Sequence, residues 1–368
     1  MEIMIIFIFT IITAFLINVL VTPLIVKLSH SKKWYDKPDY RKIHTGLIPR
    51  IGGIGVFLSI IVCSLLFSTL LSLFSQGSIS GILQLKYAAV IGAFVLIHIL
   101  GLMDDFKSLP ALAKLTIQAI AAIMAIASGL VIKEIPLPYL GSISLGFLSY
   151  PLTFIWIIGI TNAMNLVDGM DGLAGGIAAF ASLSMGIISL LSGQWTTAVI
   201  SLSVFGATAG FLVFNLPPAK IFMGDSGSLS LGYILSVLPL MGLTTSAETG
   251  SIFIPITLLM IPIIDMAAAI IRRLGEGRPI LSPDRKHIHH KLLDIGLPER
   301  RILLLIYSIC LYLSVMAITS VVMPKEANVY LMLFVWIGVL MGYGFITYVN
   351  ARKENIAMKQ EARQKNSA

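Results

Sequence analysis

The sequence predicts an all-α polytopic membrane protein of about eleven transmembrane helices, with the N-terminus outside and the C-terminus cytoplasmic. Three observations predict it. Hydrophobic residues make up 57% of the 368 and charged residues 12%, with a mean hydropathy of +0.93, whereas soluble domains average about 25% charged residues. Apolar runs of roughly 17 to 25 residues, the length that spans a bilayer, recur at 3–26, 51–74, 86–103, 111–132, 147–161, 173–193, 196–214, 228–247, 252–271, 302–322 and 328–349. With the N-terminus placed outside, 23 of the 26 Lys and Arg fall in inner segments, the asymmetry expected of cytoplasmic loops.

The basic residues follow the chain closely. Seven lie between Lys27 and Arg50, two are Lys107 and Lys114, one is Lys220, eight lie between Arg272 and Arg301, and five are in the tail. Only Lys86, Lys133 and Lys325 remain outside. The net charge of +8 is therefore a topology signal, and no nucleic-acid partner is expected. Membrane lipids are expected partners throughout.

The first span follows Met1 and Glu2 without a basic leader or a small-residue cleavage site, so it reads as a retained helix with no signal peptide. The fifth span is short. Cys63 and Cys310 both fall inside apolar spans, which excludes a disulfide framework and a cysteine metal site. Between the spans no polar stretch is long enough for a soluble domain. Residues 1–349 form a single membrane domain, followed by a polar tail, 350–368, expected as a frayed helix at the inner leaflet. The outer segment IPLPYLGSISLGF, with its prolines, glycines and alternating residues, predicts a small hairpin. No internal repeat of the transporter kind is present.

Four short polar runs interrupt the apolar background: GLMDD ending at Asp105, NAMNLVDGMDG ending at Gly172, FMGDSGS ending at Ser228 and SPDRKHIHH ending at His290. On the eleven-span topology all four reach the same face of the bilayer. Asp104, Asp105, Asp168, Asp171 and Asp225 then gather at the inner ends of spans, where a carboxylate is costly unless hydrated or paired. Each alone reads equally as a solvated helix cap. Asp104 and Asp105 are helix neighbours about 100° apart, so one faces a ligand while the other orients a partner. Asn162, Asn165, Asp168 and Asp171 recur every three residues, predicting adjacent faces of one helix, and Gly169, Gly172, Gly175 and Gly176 leave room for a ligand or another helix.

Asp225 and Ser226, flanked by Gly224 and Gly227, precede an apolar span. This suits a helix start capped by the aspartate, a phosphate on backbone N–H groups, or Mg²⁺, whose oxygen ligands are one or two carboxylates with phosphate and water. His287, His289 and His290 share a loop with Asp284, Arg285, Lys286 and Lys291. The positive surroundings and the lack of an acidic ligand motif favour an anionic phosphate or sugar nucleotide over zinc. Arg41 and His44, in DKPDYRKIHTGLIPRIGG, suit a lipid phosphate, and the same residues read equally as ordinary inner-loop charge. Asp265 lies well inside a span, with its role open.

Together these motifs resemble the polyprenyl-phosphate N-acetylhexosamine-1-phosphate transferases of glycosyltransferase family 4. The matching residues are DKPDYRKIHTGLIPRIGG, GLMDD, NAMNLVDGMDGLAGG, FMGDSGSLSLG and DRKHIHH, in the family's order from Asp36 to His290. The HxHH form resembles the undecaprenyl-phosphate GlcNAc-1-phosphate branch, whereas the MurNAc-pentapeptide branch, the alternative within the family, typically has three consecutive histidines. One departure is Ser108, where some members carry a lysine.

The resemblance implies transfer of a sugar-1-phosphate from a UDP-N-acetylhexosamine to undecaprenyl phosphate with release of UMP, at a cytoplasm-facing site in a bacterial cytoplasmic membrane. It implies Mg²⁺, with Mn²⁺ as a substitute, held by Asp225 and Asp168. Asp104, Asp105, Asp168, Asp171 and His289 are then expected in catalysis, and Asn162, Asn165, Arg41, His44, Arg285, His287 and His290 in substrate binding. A homodimer is one assembly compatible with the sequence, which leaves the oligomeric state open. The competing class is a transporter, which predicts polar residues through the midplane and on both sides.

Overall fold

The computed structural model describes residues 2–35, 48–74, 85–137, 141–243, 252–282, 284 and 286–367. Arg41, His44 and Arg285 lie outside the described residues. The described chain is almost wholly helical: α1 (Glu2–Lys32), α2 (Gly53–Phe74), α3 (Leu85–Phe106), α4 (Ala111–Ala127), α5 (Ser149–Val167), α6 (Leu173–Leu191), α7 (Trp195–Asn215), α8 (Gly224–Leu238), α9 (Phe253–Leu258), α10 (Met260–Gly275), α11 (Ile288–Ile295), α12 (Glu299–Val322) and α13 (Lys325–Ser367). Among these, eight are long and apolar enough to cross a membrane. The fold is an all-α, polytopic membrane protein. The predicted hairpin is present as two antiparallel strands, β1 (Glu134–Leu137) and β2 (Gly141–Ser144), with Glu134 opposite Ser144.

Three predicted spans are shorter or interrupted, each for a local reason. The run 111–132 stops at Ala127, where Gly129 adopts a left-handed φ of +88° and Leu130 N–H returns to the Ala125 carbonyl, a helix-ending geometry that glycine adopts without strain. The run 252–271 breaks at Leu259 into α9 and α10. Pro262 has no N–H for the Leu258 carbonyl and its ring crowds that oxygen.

The run 228–247 is α8, only 15 residues long before a π-helical turn at Pro239–Leu243. Every α8 residue except Asp225 is buried, because α3 and α5 pack along it with α2 alongside. A helix enclosed by protein need not match the thickness of the lipid.

One further boundary is revised. The fifth span extends to Val167 rather than ending at 161, because the Asn162 and Asn165 side chains find partners inside the bundle. The tail from residue 350 is helical and continues α13. Both cysteines are free and buried, as packing residues. A second layer of α1, α6 and α7 closes around α2 and α8, and α12 covers α6.

Candidate active site

The first half of the site is built by backbone pairing across the chain. Phe222 N–H donates to the Pro49 carbonyl at 2.8 Å, and Gly52 and Gly53 N–H groups donate to the Phe222 and Met223 carbonyls at 3.0 and 2.9 Å. Glycine is required for this approach. A Cβ on Gly53 would lie 2.2 Å from Gly227 N, and one on Gly101 would lie 2.4 Å from Ser226 Cα. The start of α8 is thereby pressed between α2 and α3, and Arg50 is carried to Asp225.

Asp225 does not cap its own helix. Asp105, from the end of α3, accepts the Asp225 and Ser226 N–H groups at 2.7 and 3.0 Å, occupying the positive N-terminus of α8. Asp225 is left to face cations: Arg50 Nη2 lies 2.8 Å from one oxygen and Lys114 Nζ 3.2 Å from the other. Lys114 also reaches Asp104 at 3.0 Å, and Arg50 Nε lies 3.3 Å from Asp105. Asp104 Oδ1 accepts the Leu109 N–H at 2.7 Å. The paired aspartates thus take different partners, Asp105 anchoring the start of α8 and Asp104 holding Lys114 and the Leu109 N–H.

The predicted three-residue period does not continue along one helix. α5 ends at Val167 with Asp168 as its cap, and Gly172 turns the chain at a left-handed φ of +77°, so Asp168 and Asp171 sit in a loop. Asn162 donates to Gln118 at 2.6 Å and Asn165 to Ser228 at 2.9 Å. Asp171 accepts the Ala219 N–H at 2.9 Å, and Asn215 accepts the Gly172 N–H at 3.0 Å while donating to the Ile221 carbonyl. Tyr307 of α12 donates to the Gly172 carbonyl at 2.6 Å. A Cβ on Gly176 would lie 2.2 Å from that ring, so here the glycine admits a helix. Burial pushes the Asp168 carboxyl up to about 8, reinforced by the neighbouring Asp225 charge and only partly opposed by Arg50.

The histidine segment forms the second half. His289 is 1% exposed and packs on the DGMDG loop, where a Cβ on Gly169 would lie 2.5 Å from its Nε2. Neither of its ring nitrogens has a hydrogen-bond partner among the described residues. Burial, aided by the His290 charge, lowers its basicity to about 3, so the ring is neutral. The His289 and His290 ring centroids are 4.2 Å apart. His287, 6.1 Å from His289 between parallel rings, donates or accepts at Nδ1 with Asp265 Oδ2 at 2.8 Å. Arg272 pairs with Asp284, and Lys291 donates to Thr347 and Tyr343 of α13 at 2.9 and 3.3 Å.

The structure thus joins all four polar runs: Asp104 and Asp105 to Asp225, Asn165 to Ser228, and the Asp168 loop to His289. No group of three or more His, Cys, Asp or Glu among the described residues forms a ready metal cage. The donors around Asp225 are nonetheless hard carboxylate oxygens in a cluster with more acids than cations, a set that suits Mg²⁺ completed by phosphate and water.

Sequence reasoning missed Arg50, Lys114, Gln118, Asn215 and Tyr307 as site residues. Three carried a signal. Arg50 immediately precedes the apolar Ile-Gly-Gly entry to α2, and Lys114 and Gln118 stand one helical turn apart in an otherwise apolar run.

The bundle brings its polar runs together in a membrane protein, and the chain belongs to glycosyltransferase family 4, whose pattern matches residues 87–243. It is 39% identical over 330 residues, 88% of each chain, to the probable undecaprenyl-phosphate N-acetylglucosaminyl 1-phosphate transferase of Bacillus subtilis strain 168. It is 34% identical over 80% of its length, and 79% of the relative's, to the decaprenyl-phosphate N-acetylglucosaminephosphotransferase of Mycobacterium leprae strain TN. With the undecaprenyl-phosphate alpha-N-acetylglucosaminyl 1-phosphate transferase of Escherichia coli K12 it shares 34% identity over 74% of this chain and 72% of that one.

Proposed function

We propose that this protein transfers N-acetylglucosamine-1-phosphate from UDP-GlcNAc to undecaprenyl phosphate, giving undecaprenyl-pyrophosphoryl-GlcNAc and UMP. The observation that carries the reading is the gathering of all four polar runs around Asp225 and Asp168, in a chain 39% identical across 88% of its length to a relative so named. Eleven crossings, with the N-terminus outside and the site facing the cytoplasm of a bacterial cell, are part of the proposal, supported by the skew of Lys and Arg.

Two anions must meet, so the main barrier is electrostatic. Arg50 and Lys114 supply fixed positive charge beside the acids. Asp225, with Asp168, would hold Mg²⁺ or Mn²⁺. Such an ion supplies neutralisation of the pyrophosphate and of charge on the departing UMP.

The lipid phosphate oxygen attacks the sugar-linked phosphorus as the bond to UMP breaks. A phosphate monoester has its second pKa near about 6, so the nucleophile is largely dianionic at neutral pH and needs no base. Asp105 is suited to anchoring α8 because both its oxygens accept N–H groups there, and Asp104 to holding Lys114. A phosphorylated aspartate trapped with UDP-sugar in the absence of lipid would replace direct attack by a two-step route.

The test is UMP release from UDP-GlcNAc, UDP-GalNAc and UDP-MurNAc-pentapeptide with undecaprenyl phosphate and Mg²⁺. UDP-GlcNAc is expected to turn over fastest, and Asp225→Asn to lose at least about 10²-fold, the scale for removing an electrostatic contact to the transition state. Wild-type activity of that variant at limiting Mg²⁺ would remove the metal assignment. Solute transport across liposomes without UMP release would establish the transporter class instead.

A further inference from the structure

Asp265 is the one carboxylate deep in a predicted span, and the four polar runs do not contain it. It is 1% exposed, in the middle of α10, where an unpaired carboxylate would be costly. Both oxygens are used. Oδ2 lies 2.8 Å from His287 Nδ1, while Oδ1 accepts the Ile288 N–H at 2.8 Å and lies 3.4 Å from the Tyr343 hydroxyl. Tyr343 in turn accepts from Lys291, which also binds Thr347. One buried carboxylate therefore ties the first histidine, the first N–H of α11 and the last long helix together.

We propose that Asp265 is a positioning residue that acts through His287. A carboxylate can only accept, so the shared proton sits on His287 Nδ1 and the neutral ring is held in that tautomer. Nε2, on the far side of the ring, is then the atom that accepts a proton or, once protonated, donates to an anionic oxygen. The same carboxylate fixes the ring's direction through the Ile288 N–H. This logic matches the buried carboxylate that sets the tautomer and orientation of a working histidine. The inference rests on the transferase reading given above.

Asp265→Asn tests it well, because the amide oxygen still accepts the Ile288 N–H while the carboxylate's hold on Nδ1–H is lost. Asp265→Asn, His287→Gln and the double variant are compared in UMP release. Each single change is expected to lower kcat by about 10²-fold, the upper range for losing a group that orients a working histidine, with KM for UDP-GlcNAc moving less. The double variant is expected to fall no further than His287→Gln.

Near-wild-type kcat in Asp265→Asn, or the same loss repeated on the His287→Gln background, would overturn the inference. Full activity of His287→Gln would instead remove the histidine segment from the proposed reaction. The tautomer can be read without any turnover: in ¹⁵N-histidine-labelled wild-type protein at a pH where the ring is neutral, the signals lost in His287→Gln are expected to show a protonated Nδ1 and a bare Nε2. A protonated Nε2 with bare Nδ1 would sink the proposal even if Asp265→Asn failed to fold.

Discussion

The innermost residues of the two halves of the site are held by opposite kinds of interaction. Around α8, Asp104, Asp105 and Asp225 are locked to Arg50 and Lys114 by short ion pairs and charged hydrogen bonds. Around α11, His289 is neutral, buried and without a hydrogen-bond partner among the described residues, and its place comes from packing on Gly169. The difference teaches how a polar site survives in an apolar bundle. Charge on one side is saturated by cations from distant segments, whereas the other side avoids charge altogether at its innermost ring.

The comparison breaks most severely if the ion cluster loses a cation. Lys114→Met leaves Asp104 and Asp225 facing each other, and removing one partner of a mostly buried pair costs about 3 kcal/mol or more. The melting temperature in chelator is expected to drop well below wild type, and Mg²⁺ to restore more of it in the variant than it adds to wild type. Equal Mg²⁺ responses would mean that Lys114 does not share the acids' charge.

A smaller loss is expected at the anchor. Asp105→Ala removes the carboxylate that caps α8, an exchange worth about 2 kcal/mol for a cap with charge-assisted bonds. Hydrogen exchange at the Asp225 and Ser226 amides is expected to accelerate more than at mid-α8. Uniform acceleration along α8 would point to global loosening instead.

Gly169→Ala probes the seam between the halves. Its Cβ would stand 2.5 Å from His289 Nε2, and overpacking of this kind costs about 1–3 kcal/mol. The melting temperature is expected to fall, with partial rescue when His289 is also shortened to Ala if sterics at the seam are responsible. No rescue of stability by the second change would separate Gly169 from His289.

A different kind of effect is a pH slope. Asp168 titrates near 8 in the fold because burial, then Asp225, disfavours its charge, against about 3.9 unfolded. Between those values the folded state binds more protons, so this group's contribution to stability falls as pH rises. Asp168→Asn removes the penalty and is expected to stabilise chelated protein more at pH 8 than at pH 5. A gain independent of pH would contradict the assignment.

Much of this was legible along the chain because lipid imposes a length and a polarity on every span. The Pro/Gly hairpin and both buried cysteines follow from local chemistry, and so does the concentration of aspartates at a few polar runs. Other features are not local. The period of Asn162, Asn165, Asp168 and Asp171 predicts one helix, but Gly169 and Gly172 end it after Val167. Arg50 and Lys114 read as ordinary inner-loop charge, because their function depends on partners 175 and 111 residues away.

From its sequence alone, this protein is determined to be an all-α membrane bundle interrupted by four short polar runs. Composition and hydrophobic period are enough for that, since burying apolar length in lipid is a one-dimensional requirement. Only the tertiary structure decided that Asp105 caps α8, that Arg50 and Lys114 divide Asp225 between them, and that Asp265 holds His287. Those choices depend on which oxygen lies within about 3 Å of which nitrogen, and distances of that kind exist only after the helices have packed.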